Sequence, residues 1–214
     1  MSRQLQEKKW ISPEEYLAFE KQSEIKHEFF DGEMFAMTGA SLNHNRISRN
    51  IERELGVRLK GSSCENLSSD MRVKIEAKEQ YTYPDIVIAC DDILLEEIDG
   101  VETLLNPVVI LEILSDSTEA YDRGKKFSRY RLISSLQEYI LVSQNYCQVE
   151  RFIRGDDSWR YFSYEDMEQS VPIDSVDVEL LLSDIYYRVG FKGLDIKGAG
   201  QDTLPADSQQ DKYS

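Results

Sequence analysis

The stretch YPDIVIAC, residues 83–90, together with NPVVILEIL, residues 106–114, decides the fold of this chain. Each run is short, rich in β-branched residues and apolar on both faces, which predicts two neighbouring central strands of a sheet. Each run also carries an acid, Asp85 in the first and Glu112 in the second. A buried carboxylate without a partner costs several kcal/mol or is forced to be neutral, so both acids need an explanation.

A shared divalent cation explains both acids most simply. Mg²⁺ (or Mn²⁺) fits, because it is bound by one or two carboxylates together with waters and a substrate phosphate. A structural alternative stays open from these strands alone. In it, Asp85 begins its strand at a solvated end that Pro84 pre-sets, and Glu112 pairs with an arginine.

Further elements are predicted on both sides of the two strands. Ser12–Glu15 is typical of a capping box that begins a helix reaching about Glu20, and Asp31-Gly32 is typical of a hairpin turn that places Glu28 opposite Phe35. The remaining predicted elements are an amphipathic helix at 42–60, a strand at 69–75, an acidic loop or short helix at 91–100, a helix from 117, strands at 138–143 and 148–154, and a last strand or helical turn at 176–189.

This order predicts one α/β (mixed) domain, a mixed β-sheet flanked by helices, at residues 12–190. Residues 1–11 are expected to be a flexible N-terminus. Residues 191–214 are rich in Gly, Asp, Gln and Ser and are expected to be a disordered tail. The chain has no Walker loop, no GxGxxG and no nucleophile elbow, so nucleotide-binding and hydrolase folds that need them lack support.

The composition restricts the location and the partners. No stretch approaches the roughly 20 apolar residues of a membrane span, and the polar N-terminus lacks a signal core, so we expect a cytoplasmic protein with no membrane partner. The cysteines Cys64, Cys90 and Cys147 have no zinc spacing and suggest no disulfide framework. The net charge of −15 disfavours a nucleic-acid partner, because such binding comes largely from neutralising phosphates.

An ordered series of motifs resembles a known family. EEYLAFE, KHEFFDGEMFAMTGAS, NHNRI, YPDIVI, NPVVILEILSDSTEAYDRGKKFSRYR and LQEYILV together resemble the bacterial "Uma-type" restriction endonucleases, within the PD-(D/E)XK nuclease superfamily. The resemblance runs from about Ser12 to Val189. It implies a restriction-endonuclease-like core, a metal-dependent nuclease activity, and Asp85 and Glu112 as the metal ligands.

The chain departs from the superfamily pattern at the lysine. The pattern places lysine two residues after the second acid, on the same strand face as Glu112, where this chain has Leu114. The resemblance implies that Lys126 of DRGKKFSRYR takes that role, and it alone favours Lys126 over Lys125. The alternative is an i,i+4 pair of Lys126 with Asp122 on a solvated helix face.

Other candidates are less constrained. The resemblance makes Glu28 a further catalytic acid, and its alternative is an ordinary exposed hairpin charge. Asp70 is a weaker metal candidate, and His44 could approach the site from the start of its helix. Tyr130 is expected to pack against Phe127.

The leading hypothesis is therefore a Mg²⁺-dependent DNA endonuclease, with Asp85, Glu112, Lys126 and Glu28 in its site. DNA binding is expected to be weak and salt-sensitive, through basic clusters in 42–60 and 123–131, with no evident sequence-recognition domain. A homodimer is expected, because two sites could then act across a duplex. The alternatives are a catalytically inactive dimeric binding or regulatory module, and a phosphodiesterase acting on RNA or a small nucleotide.

Overall fold

The computed structural model of the protein describes residues 10–37, 39–98 and 100–191. The expected flexible N-terminus at 1–11 and the expected tail at 191–214 therefore lie almost entirely outside the described residues. The helices are α1 (Pro13–Glu20), α2 (Leu42–Arg58), α3 (Glu119–Tyr121), α4 (Phe127–Tyr130) and α5 (Leu182–Ile185), and a π-helical turn, Asp122–Lys126, joins α3 to α4. None of the helices in these ranges is long and apolar enough to cross a bilayer.

The described chain contains more β-structure than helix. The strands are β1 (His27–Phe30), β2 (Glu33–Ala36), β3 (Cys64–Ser68), β4 (Arg72–Ile75), β5 (Gln80–Thr82), β6 (Ile86–Cys90), β7 (Leu95–Ile98), β8 (Val101–Leu104), β9 (Val109–Leu114), β10 (Glu138–Ser143), β11 (Val149–Arg154), β12 (Trp159–Tyr164), β13 (Ser170–Ile173) and β14 (Val178–Leu181). Short 3₁₀ turns lie at Glu76–Lys78 and Asp174–Val176.

Two six-stranded sheets organise the domain. The first has the order β2-β1-β5-β4-β8-β7, the second has the order β12-β11-β10-β9-β6-β3, and β13 and β14 form a separate pair. Both large sheets are mixed, since β9 runs parallel to β10 and antiparallel to β6, while β4 runs parallel to β8. The predicted mixed α/β class is confirmed, and the two apolar runs of the sequence are neighbouring strands, β6 and β9.

The central strands of the second sheet are buried on both faces, which is why most of their residues are apolar. Side chains from alternate positions pack against α2, α5 and the β13–β14 pair on one face, including Ile88 and Leu111. The intervening positions, including Val87 and Ile110, pack against α4 and strands of the first sheet. Glu112 shares the second face with Ile110 and Leu114, because side chains alternate along a strand.

Several local predictions are confirmed. Ser12 and Glu15 form a reciprocal capping box at α1. Asp31 and Gly32 both have positive φ, as a two-residue hairpin turn requires, and the resulting register pairs Glu28 with Phe35. The apolar stripe of the predicted helix at 42–60 is buried, at Ile47, Ile51, Leu55 and Leu59.

The prediction for residues 91–100 was wrong in part. The segment Leu95–Ile98 is strand β7, not a loop or a short helix, and it pairs antiparallel with β8. Its side chains are exposed or half-buried, so it has no apolar face that would signal a strand. Pairing with the partly buried strand β8 decides its structure, which is a tertiary influence on a weak local preference.

The expectation that the cysteines form no disulfide was also wrong. Cys64 and Cys90 are bonded to each other, 26 residues apart in the sequence. The cause is strand register, because β3 runs antiparallel to β6 and places Cys64 directly opposite Cys90. Spacing along the chain does not reveal such a cross-strand pair. Cys147 is a free, half-buried thiol.

Removing this disulfide is expected to destabilise the domain. The double substitution Cys64→Ser, Cys90→Ser should lower the free energy of unfolding by about 2–4 kcal/mol, since the bond closes a loop in the unfolded chain. Chemical denaturation of the oxidised protein measures the difference, and Cys147→Ser serves as the control. Equal stability of the double variant and the oxidised parent would show that the bond contributes nothing.

Candidate active site

The pairing of β6 with β9 brings the two strand acids together. Ile86 lies opposite Leu111 in this antiparallel ladder, so the residues one step outward, Asp85 and Glu112, come side by side at one end of it. The Ile113 backbone N–H donates a hydrogen bond of 2.7 Å to Asp85 Oδ2. That bond fixes the Asp85 carboxylate against β9 through one of its two oxygens.

Lys126 points into the same place. Its Nζ lies 2.8 Å from Glu112 Oε1, 3.0 Å from Glu28 Oε1 and 3.8 Å from Asp122 Oδ1. The Lys126 side chain is only 7% exposed, and that of Glu112 only 5%. The i,i+4 pair with Asp122 is therefore present, but on a buried surface rather than on a solvated helix face. Lys125 is exposed.

The π-helical turn aims Lys126 at the acids. In Asp122–Lys126 the two end residues are buried, while Gly124 and Lys125 between them are exposed. A π turn carries one residue more than an α turn, and such insertions are frequent at functional sites. The helix predicted from residue 117 is present, but its sequence does not predict the π-helical turn inside it.

A chain of hydrogen bonds connects Glu112 with Glu28. The Tyr130 hydroxyl donates a 2.8 Å hydrogen bond to Glu112 Oε1 and lies 3.0 Å from Thr82 Oγ1, which in turn donates to Glu28 Oε1. Together with Lys126 these groups form a closed ring. Tyr130 was predicted only to pack against Phe127, so its polar role was missed. Its position one helical turn after Lys126 is the signal that could have revealed it.

His44 approaches the site, and Asp70 does not. The His44 imidazole Nε2 lies 3.2 Å from Asp85 Oδ1, and Ser41 caps the helix by accepting the His44 backbone N–H at 3.1 Å. The start of α2 thus contacts the Asp85 carboxylate at Oδ1, while β9 contacts it at Oδ2. Asp70 is exposed and forms an ion pair with Lys26.

Some of the basic residues expected to contact phosphates are already paired with acids. Arg123 forms ion pairs with Glu119 and Glu150, and Arg129 pairs with Asp31. In α2, Arg53 and Arg58 both contact Glu54. These pairs reduce the positive charge that the two predicted clusters can offer to DNA.

The site carries more negative than positive charge. Burial raises the pKa of the Glu112 carboxyl well above its usual range; Lys126 opposes this rise, and Asp85, Asp122 and Glu28 add to it. Burial also opposes the charge on the Lys126 amine, but Glu112, Glu28 and Asp122 outweigh it and raise its pKa. Burial is thus the main cause of the raised pKa of Glu112, and the surrounding carboxyl groups are the cause of the raised pKa of Lys126, so both shifts favour binding of a further proton or cation.

These residues fit a divalent cation. Lys126 and Tyr130 both contact Glu112 at Oε1, so Oε2 is the oxygen that a cation would use. Two carboxylates suffice for Mg²⁺ or Mn²⁺ when waters and a phosphate complete the shell. Within the described residues, no group of three or more His, Cys, Asp or Glu side chains is arranged to hold a metal, so the fit is to an open site rather than to an all-protein cage.

The site opens into a cavity of about 800 Å³. Five carboxylate side chains line it, those of Glu28, Asp85, Glu112, Asp116 and Asp122, and the charged amine in the described lining is that of Lys126. The rest of the lining consists mainly of hydroxyl, amide and aromatic side chains. Such a cavity suits an anionic ligand only after a cation has offset the carboxylates.

Comparison with known proteins identifies relatives of similar extent. A solved structure described as a putative nuclease belonging to DUF820, from Anabaena variabilis, superposes with a TM-score of 0.68 at 17% identity, covering 82% of this chain and 97% of that chain. That likeness establishes the nuclease-like fold. The uncharacterized protein slr1290 of Synechocystis sp. is 35% identical over 182 residues, covering 85% of this chain and 94% of its own length.

Two further similarities agree with these. The uncharacterized protein sll1609 of Synechocystis sp. is 37% identical over 152 residues, which is 71% of this chain and 85% of the relative. The family model Uma2, "Putative restriction endonuclease", matches residues 13–183, nearly the whole described domain. The protein therefore belongs to the Uma2 family, which carries a nuclease-like fold.

Proposed function

We propose that this protein is a divalent-metal-dependent DNA endonuclease, in which Asp85 and Glu112 hold Mg²⁺ or Mn²⁺ and Lys126 assists the hydrolysis of a phosphodiester bond. The observation that carries the proposal is the position of the Lys126 amine, 2.8 Å from Glu112 Oε1 in a cavity that also exposes Asp85. A lysine that served only as a surface charge would not be buried among acids at this cost.

Each side chain then has a defined task. When bound, the cation would polarise the phosphate and lower the pKa of a water. Lys126 stays protonated and supplies a fixed positive charge where negative charge builds up on the phosphate oxygens. Glu28 holds the Lys126 amine at 3.0 Å, and Tyr130 holds Glu112 through its hydroxyl at 2.8 Å.

Support for DNA as the substrate comes from the family description and from the chemistry of the site. The acidic chain should bind DNA weakly, because it offers few positive charges to neutralise phosphates. The phosphate contacts that it does make should weaken as salt rises, because the release of counterions then gains less free energy. The homodimer inferred from the sequence stays a prediction, which sedimentation velocity on the purified protein would measure.

Cleavage is expected to depend strictly on a divalent cation. A fluorescent DNA oligonucleotide incubated with the protein should be cut in Mg²⁺ or Mn²⁺ and remain intact in excess EDTA, because two carboxylates and a lysine cannot activate a water without the metal. Gel electrophoresis measures the products, and calorimetry with Mn²⁺ measures binding separately. Cleavage that persists in EDTA would contradict the proposal, and the absence of both Mn²⁺ binding and cleavage would favour the inactive regulatory module.

A further inference from the structure

One aromatic side chain stands beside the candidate acids without being buried. Phe35 lies directly opposite Glu28 in the β1–β2 ladder, so the two side chains project from the same face of that hairpin. Phe35 lines the cavity and is 43% exposed. Exposed aromatic residues elsewhere on the surface need no explanation, but this one lies in the cavity beside the acids, where a ligand could cover it.

The ring of Phe35 contacts two other aromatic rings. Its centroid lies 6.4 Å from that of Phe30 and 6.3 Å from that of Tyr121, and both contacts are tilted. These two aromatic rings are fixed in turn by the Arg129 guanidinium, 4.6 Å from the Phe30 centroid. Phe35 therefore packs against two fixed aromatic rings, while part of its own ring remains exposed in the cavity.

The cavity lining selects against a double-stranded ligand. Duplex DNA is bound mainly through lysine and arginine contacts with two phosphate backbones, whereas the described lining offers five carboxylates against Lys126. Its neutral polar groups include serine and threonine hydroxyls and the amides of Asn45 and Gln144, which can hydrogen-bond the edges of a base. A volume of about 800 Å³ is that of a small-molecule site rather than of a groove for a duplex.

We infer that the cavity takes an unpaired nucleotide of DNA, with its base stacked on Phe35 and its phosphate directed to the Asp85–Glu112 pair. This inference rests on the proposed nuclease function and adds the class of substrate to it. Bases stack on aromatic side chains whatever their identity, and this attraction does not need a basic surface. In an acidic nuclease, stacking can therefore supply the binding free energy that phosphate contacts do not supply.

The test compares strands and variants under one set of conditions with saturating Mn²⁺. The wild type should cleave a single-stranded DNA oligonucleotide at least roughly tenfold faster, in kcat/KM, than the same sequence in a duplex. Phe35→Ala should lower kcat/KM on the single strand by about 10- to 100-fold, mostly through KM, and Phe35→Trp should restore it. Replacing the bases one at a time with abasic sites should identify one position where Phe35→Ala has no further effect.

The matched control is Phe162→Ala. Phe162 is 40% exposed, lies on the edge strand β12 and does not line the cavity, so its removal should leave kcat/KM on the single strand unchanged. Metal-dependent cleavage that prefers the duplex, or that Phe35→Ala changes by less than twofold, overturns the inference and leaves the nuclease function standing. Preference for an RNA strand of the same sequence overturns the choice of DNA. Absence of any cleavage overturns the proposed function itself.

Discussion

Lys126→Met is expected to lower the rate of metal-dependent DNA cleavage by about 100- to 1,000-fold, the loss that follows when one preorganised charge is removed from a developing anion. Methionine keeps the length and the apolar part of the side chain and removes the ammonium group. Single-turnover cleavage in saturating Mn²⁺ measures the effect on the chemical step. Lys125→Met is the matched control, because Lys125 is the adjacent lysine and is exposed.

Metal affinity separates a chemical role of Lys126 from a structural one. The amine lies 2.8 Å from Glu112, one of the two proposed metal ligands, so its positive charge opposes the binding of a cation there. The Lys126→Met variant should therefore bind Mn²⁺ at least as tightly as the wild type, although it cleaves far more slowly. Calorimetry measures that affinity.

The Lys126→Met variant should also be less stable than the wild type. Removing the amine leaves buried carboxylates without their cation, which costs about 3–5 kcal/mol at neutral pH. Saturating Mn²⁺ should recover part of this loss, because a cation that binds only the folded state stabilises it. If Lys126→Met weakens Mn²⁺ binding and cleavage in parallel, or if Lys125→Met has the larger effect on cleavage, the assignment of Lys126 is wrong.

The central strands could be predicted because their physical signal is local and strong. Two runs of apolar residues, each with one acid, predict neighbouring buried strands, and β6 and β9 are indeed paired. The sequence Asp31-Gly32 was an equally clear signal of a hairpin turn. The turn predicts that Glu28 lies opposite Phe35, as the structure has it. Register propagates from a turn, so a single pair of residues specified where a whole strand face would lie.

The position of Lys126 could not be predicted from its own segment. Counting along an ideal helix places it on a face with Asp122, and nothing in DRGKK shows that this face is buried against β9. Its burial depends on the packing of the π-helical turn against strands that are distant in the sequence. Only the family resemblance chose Lys126 over Lys125, and the structure adds a geometric reason for that choice.

The remaining features that the sequence did not predict all depend on contacts between residues far apart in the chain. The bond between Cys64 and Cys90 needs the register of β3 against β6, and strand β7 needs β8 as its partner. The hydroxyl of Tyr130 is directed at Glu112 only because α4 lies across the second sheet. None of these relations is encoded in a spacing of a few residues, so reasoning from periodicity and turns does not reach them.

Glu112→Gln is expected to abolish Mn²⁺ binding and DNA cleavage while making the protein more stable. The substitution keeps the shape of the side chain and removes a charge that burial opposes, as the raised pKa of Glu112 shows. Lys126 keeps Glu28 at 3.0 Å as a partner. Removing a charge that burial opposes should raise the free energy of unfolding, and therefore Tm, at neutral pH.

The gain in stability should depend on pH in a defined direction. Because the folded protein holds the proton of Glu112 above the ordinary pKa of 4.5, it binds more protons than the unfolded chain does at higher pH. The wild type therefore loses stability as pH rises above that value, whereas Glu112→Gln does not. Thermal unfolding at several pH values should show the difference at pH 7.5 and its disappearance near pH 4.5.

Glu138→Gln is the control for these three effects of Glu112→Gln. Glu138 is equally buried, but it accepts from Arg151 Nε at 2.5 Å and from the Ser175 backbone N–H at 2.7 Å, so its charge is compensated by a fixed partner. Glu138→Gln should therefore lower the stability and leave Mn²⁺ affinity unchanged. A destabilised Glu112→Gln variant that still binds Mn²⁺ would mean that Glu112 is a structural partner of Lys126, as Glu138 is of Arg151. The two variants should therefore change the free energy of unfolding in opposite directions. Such a result is expected if Glu112 serves metal binding and lowers the stability of the fold.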